Sequence, residues 1–416
     1  MRAQLKKFIE SIGPDSIAII PAAHEATRSY DTEYKFRQDS DFAYLTGFPE
    51  PDAIAVIDPS SKKPFTLYVR PRDPEMETWF GRREGVDGAV KNHKADKAFP
   101  IDKFAADLGK LLNGHDKLYY RFGVDEKLDL QIIKYLSAQR QRRLKSPYPP
   151  HTIVDPTILI HEMRLHKTPG EVEFMQKAAT ISAEAHILAM QKTKPGMNEF
   201  QVESMIEAYM RDNGASGVAY NSIIGGGENA TILHYVENNR PLKDGDLLLV
   251  DAGAEYNGYA ADITRTFPVN GKYSKAQREV YDVVLDVQLQ CIEATKTGNT
   301  VLKGKTKDLI KKKSYMKYYM HGVGHYLGLD VHDAGRYFTD QSAKNSRPFA
   351  PGMVLTVEPG LYIPPDDKSA PSKYRGIGIR IEDDVLVTKE GNRNLTAKVP
   401  KNPDEIEALM QKPTRK

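Results

Sequence analysis

The stretch DGDLLLVDAGAEYNGYAADITRTF (244–267) runs from a turn into an apolar strand, meets Asp251, turns again, and meets Asp262 on the way into a second strand. PGMVLTVEPGLYI (351–363) and IGIRIEDDVLV (377–387) repeat the pattern with Glu358 and Glu382. Two hairpins with one acid per strand predict a pseudo-symmetric pair of halves, and a sheet shared by both would gather four carboxylates. An apolar strand is a costly place for an unpaired carboxylate unless a cation or hydrogen-bond partners meet it. Between the hairpins lies HGVGH (321–325). Four carboxylates and one imidazole fit two divalent cations roughly 3.5–4 Å apart, which lower the pKa of a shared water until hydroxide exists near neutrality. Oxygen and nitrogen donors suit Mn²⁺, Co²⁺ or Zn²⁺, and the donor set does not choose among them. Cys291 is the only cysteine, which excludes a thiolate cluster and an internal disulfide.

Outward from these hairpins the pattern becomes helical. TPGEVEFMQKAATISAEAHILAMQKT (168–193) opens with Thr168 as N-cap and Pro169 at the first helical position. A second helix is expected over 197–213, ending at Gly214, and a third over 274–296. Before residue 150, β-type runs at 16–20, 53–57, 65–69 and 117–120 mix with helical patterns at 102–113 and 124–140. RQRRLKSPYPPHT (140–152) breaks the periodicity, giving an α/β domain over 1–155 and a second domain over 168–416. The net charge of +3 over 416 residues provides no field that would favour nucleic acid. No apolar run reaches membrane-spanning length, and the start reads as a short amphipathic helix, so the expectation is a cytoplasmic protein without a membrane or nucleic-acid partner.

The order Asp251, Asp262, HGVGH, VEPG and RIED resembles the pita-bread metallopeptidase family, in particular its aminopeptidase P branch. The resemblance includes YNSIIGGGENATILHYVEN (220–238), MHGVGHYLGLDVHD (320–333) and GIGIRIEDD (376–384). It extends to the first domain through TRSYDTEYKFRQDSDFAYLTGF (27–48) and VRPRDPEMETWFGRREG (69–85), blocks that methionine aminopeptidase lacks. It implies a mixed α/β (α+β) chain, with an N-terminal domain that serves oligomerisation and a C-terminal pita-bread domain, assembling as a homodimer or homotetramer. It also implies a reaction: attack of metal-bridging hydroxide on the carbonyl of the first residue of a peptide whose second residue is proline. Carried over by motif, Asp251 would chelate one metal, Asp262 and Glu382 would bridge, and His325 and Glu358 would complete the second. His234 and His332 would hydrogen-bond substrate and tetrahedral intermediate, His321 would line the cleft, and Glu358 would also shuttle the proton. Arg380, Tyr362 and Asp31 resemble the network that orients Glu382. Tyr220 and Tyr362 would meet substrate, and Trp79 falls where the family presents an aromatic side chain to a neighbouring subunit's cleft.

Other motifs read as structure. The histidines of HEMRLH (161–166) are five apart, whereas a zincin pair needs four; GGG at 225–227 lacks the Lys-Ser/Thr of a phosphate loop. The lysines from 303 to 317 read as a solvated face. One departure stands out: relatives place a crossover helix after a turn like TGNTV (297–301), and here Val301–Leu302 looks like a junction where it is missing. Two other readings compete, a prolidase restricted to Xaa-Pro dipeptides and a non-enzymatic binding protein on the same scaffold.

Overall fold

The computed structural model describes residues 3–141, 147–299 and 314–412. The Val301–Leu302 junction and most of the lysine run therefore lie outside the described residues. The chain divides into two compact units, Met1–Met163 and Arg164–Lys416. Its class is mixed α/β. Among the described residues no helix is long and apolar enough to cross a membrane.

The first unit is built on a six-stranded mixed sheet. Its order is Lys97–Pro100, Phe65–Val69, Ile54–Ile57, Ser16–Pro21, Lys117–Tyr119 and Thr152–Val154. Ser16–Pro21 is central and buried at every position, which explains its unbroken apolar run. Ile17, Ile19, Val56 and Tyr68 pack against Phe104, Leu108 and Leu112 of one helix and Leu128 and Ile132 of another. Both edge strands, KAFP and TIV, were absent from the sequence reading, because so few residues give no usable alternation.

In the second unit, Thr168 caps the helix Pro169–Lys192 in a capping box with Glu171, and Asn198 and Ser274 do the same for Glu199–Asp212 and Lys275–Ala294. These helices lie against a core that includes Ile181, Ala185, Val202, Ile206, Leu248, Val250, Phe267, Tyr281 and Ile379. The first hairpin forms an antiparallel sheet ordered Ile223–Gly226, Leu247–Asp251, Thr264–Pro268, with Asp251 opposite both Ile223 and Thr264. In the other half, Val354–Val357 pairs with Asp383–Val387, and Gly360–Tyr362 with Gly378–Arg380.

The single shared sheet expected from the sequence is not what forms. The ladders divide into several small sheets, and the breaks fall at the acids: Asp262, Glu358 and Glu382 each lie between two strand segments, and only Asp251 belongs to a strand. Leaving the ladder frees the local backbone to aim a side chain at the cleft instead of alternating across a sheet face. The halves join at such a break, where the Glu382 amide donates to the Thr264 carbonyl at 3.0 Å.

Candidate metal centre

Leu247–Asp251 delivers Asp251 at its C-terminal end, and the chain returns through Asp262 immediately before Thr264–Pro268. His325 is fixed by its backbone: its amide donates to Thr356 Oγ1 at 3.1 Å, and its carbonyl accepts from the Thr356 amide at 2.9 Å. Gly324 makes this approach possible, since a Cβ there would sit 1.9 Å from the Thr356 carbonyl oxygen. The Glu358 amide donates to the Val323 carbonyl at 2.8 Å, so HGVGH and VEPG hold each other.

Asp262, His325 and Glu382 each offer a ligand atom within 4.8 Å of the others. Asp251 and Glu358 line the same cavity, of about 770 Å³, together with Tyr220, His234, His321, His332 and Arg380. His325 Nε2 lies 3.5 Å from Asp262 Oδ2 and 3.6 Å from Glu358 Oε1. Those separations are long for charge-assisted hydrogen bonds. They come near the spacing of donors around one cation, about 3.0–3.4 Å for bonds of about 2.1 Å.

The electrostatics agree with a cation site. Burial pushes the Glu358 carboxyl up to about 7 and holds Glu382 far above the carboxylate range, with neighbouring acids adding to both shifts. Burial also raises Asp251, against the pull of the Arg380 guanidinium. At Asp262 the hydrogen bond and charge of His325 outweigh burial and lower the carboxyl, and His325 in turn rises to about 9 despite burial. Four carboxylates facing Arg380 and one imidazole leave an excess of negative charge that two divalent cations would neutralise, so the donor set fits the ions.

Around the acids lies a support network. Arg380 Nε donates to Thr264 Oγ1 at 3.0 Å, Thr264 Oγ1 donates to Glu382 Oε2 at 2.6 Å, and Arg380 also bonds Asp251 Oδ2. Tyr220 places its hydroxyl 2.5 Å from both Asp251 Oδ1 and Asp262 Oδ1. Tyr362, expected to meet substrate, does not line the cavity. It is fully buried, with its hydroxyl accepting from Arg380 at 3.0 Å and 2.7 Å from His321 Nε2, so it supports those two side chains. Burial lowers His321 to about 4, and burial with the His325 charge lowers His332, whose ring centroid is 4.2 Å from that of His325. Trp79 stands in the first unit, 77% exposed on the helix Pro74–Phe80. Asp31 is exposed in the same unit.

Thr264 and Glu199 were missed in the sequence. Glu199 is fully buried at the start of a helix and accepts from Gly226 N, Asn229 Nδ2, Tyr235 Oη and Arg240 N, at 2.7–3.1 Å. One carboxylate therefore pins both ends of the segment carrying His234. No local signal marks either residue, because the partners are distant in the chain.

Residues 173–389 match the model of metallopeptidase family M24, and residues 1–120 match the aminopeptidase P N-terminal domain. The chain belongs to metallopeptidase family M24. Relatives of the M24 chain include the Xaa-Pro aminopeptidase of Escherichia coli, 45% identical over 97% of this chain and 95% of its own, and human Xaa-Pro aminopeptidase 3, 37% identical over 95% and 81%. Among solved M24 structures, the aminopeptidase PepP of Pseudomonas aeruginosa superposes with a TM-score of 0.93 at 42% identity, covering 98% of this chain and 96% of that one. A zinc-substituted aminopeptidase P of E. coli in complex with product superposes at 0.92 with 44% identity, over 98% and 96%.

Proposed function

We propose that this chain is a dinuclear-metal aminopeptidase that releases the first residue from peptides with proline in second position. The observation that carries the reading is the convergence of Asp262, His325 and Glu382, with Asp251 and Glu358 in the same cavity, in a chain 45% identical to a Xaa-Pro aminopeptidase. Asp251, Asp262, His325, Glu358 and Glu382 would hold the pair of ions, with Mn²⁺ as the working metal. Bound there, the ions would supply a Lewis acid for the scissile carbonyl and a water acidified to near neutrality.

The chain's own residues do the rest. A Xaa-Pro amide has no N–H, so the pocket must accept the ring by shape and leave no buried acceptor waiting for a donor. Ile223, Leu233, Val236 and Val331 give the cavity an apolar wall suited to that ring. His234 and His332 face the same space and can donate to a developing oxyanion. Glu358 lines the cavity beside the other donors, placed to take a proton and return it to the proline nitrogen as it leaves. Arg380, through Thr264, keeps Glu382 in one orientation. The proposal extends to peptides as the only partner class, a cytoplasmic location, and a homodimer or homotetramer in which Trp79 reaches a neighbouring copy.

The prolidase and the non-enzymatic scaffold are not favoured, since the relatives are named aminopeptidases and every expected donor is present. The test compares a Xaa-Pro dipeptide with a Xaa-Pro-Xaa tripeptide on Mn²⁺-loaded protein. Efficient tripeptide cleavage is expected, and negligible cleavage would refute the reading. Asp262→Ala should lose both turnover and metal content measured by elemental analysis.

A further inference from the structure

His332 sits on a turn held from inside by charges for which the reaction above has no use. Asp333, the next residue, is buried with 1% of its side chain exposed; its Oδ2 lies 2.9 Å from Lys167 Nζ, itself 1% exposed. Its Oδ1 accepts from Arg164 Nη2 at 2.6 Å, and the same nitrogen lies 2.6 Å from Asp330 Oδ2. Asp333 Oδ1 also meets the Asp330 amide at 3.3 Å, while the Asp333 amide donates to the Tyr326 carbonyl at 2.8 Å. Two cations from the 164–167 segment thus close the turn over 328–333 through one carboxylate. There is no slack: a Cβ on Gly328 would fall 2.2 Å from Asp333 Oδ2 and 3.0 Å from Lys167 Cε.

A buried ion set of this kind contributes little net stability, because desolvating the charges costs about what their attraction returns. What it supplies is one fixed geometry. Its outward product is the placing of Asp330, Val331 and His332 in the cavity wall, with His332 against His325. We infer that Arg164 and Lys167 are positioning residues, which act through Asp333 to hold His332 at the reacting carbonyl. The inference rests on the aminopeptidase reading for its kinetic consequence and on the turn alone for its structural one.

The test introduces Lys167→Met and Gly328→Ala separately, in the wild-type chain and in a His332→Ala background. The first loosens the carboxylate by removing a charge, and the second displaces it without changing any charge. In the wild-type chain each should lower kcat on a Xaa-Pro tripeptide about 10–100-fold, the usual effect of disturbing such supporting contacts. KM should stay within about twofold and metal content per chain should not change. In the His332→Ala background either substitution should alter kcat by less than about twofold, since the group it positions is gone. An undiminished loss there, wild-type kcat in the single variants, or loss of metal would each overturn the inference. Crystal structures of the two variants form the second arm: His332 should be displaced while His325 and Glu358 stay, and an unmoved His332 overturns the inference whatever the kinetics. If the unsubstituted protein cleaves no Xaa-Pro peptide, the aminopeptidase reading fails, and this second arm still decides the clamp.

Discussion

His186 is a residue whose chemistry is set chiefly by burial. It is fully buried in the helix Pro169–Lys192, with Nε2 2.9 Å from the Ala252 carbonyl, one residue beyond Asp251. Nδ1 has no hydrogen-bond partner among the described residues, and burial lowers the imidazole to about 4. The ordinary value is about 6.5, so between about pH 6.5 and 4 the unfolded chain takes up a proton that the folded chain refuses. Stability is therefore present above pH 6.5 and is lost as the pH falls. At pH 5 the loss is about 2 kcal/mol. His186→Gln keeps a donor for Ala252 and cannot titrate; in urea unfolding at pH 7 and pH 5 its decline should be smaller than that of the unsubstituted protein by about this amount. Equal declines would show that His186 is not the group responsible. At this scale the sequence was informative where a residue type is wrong for its surroundings, as with acids beside apolar strands. It was silent on Thr264 and Asp333, whose meaning lies in partners more than a hundred residues away.

Three helices of the second unit were legible, and their ends carry their own chemistry, since Thr168 with Glu171, Asn198 with Gln201, and Ser274 with Gln277 each form a capping box; the short helix Pro403–Met410 was not read. Strand breaks were not legible, since a run such as IGIRIEDDVLV carries no Gly or Pro at Ile381 and Glu382, where its ladder stops. The segment from Gly226 to Arg240 is held differently: both its ends meet one carboxylate, Glu199, and Asn238 and Arg240 add bonds to Ser222 and Asp246. Glu199→Gln turns an amide NH₂ toward donors that now point at an oxygen. The expected cost is about 2 kcal/mol in urea unfolding, with a fall in kcat because His234 lies within that segment. Unchanged stability and kcat would show that the segment is held by its own packing.

Across the molecule, each unit has its own core, and the acids of the second are the part most dependent on something outside the chain. In metal-stripped protein Glu358 titrates near 7, well above its unfolded value of about 4.5. A group raised in the folded state stabilises fully below its unfolded pKa, and that contribution disappears as the pH rises through the folded one. Stripped protein should therefore lose on the order of 2–3 kcal/mol between about pH 4.5 and 7 from this group, while loaded protein should not. The gap in Tm between loaded and stripped samples should widen from pH 5 to pH 7.5, and a constant gap would mean that the cations neutralise nothing there.

The five proposed donors stretch from Asp251 to Glu382, and the last of them follows a strand only three residues long. During synthesis, Asp251 and Asp262 emerge long before Glu382 has been translated, so on the proposed ligand set a partial product would lack one of the two bridging carboxylates. A site so assembled would be complete only in a chain whose two halves have already found each other.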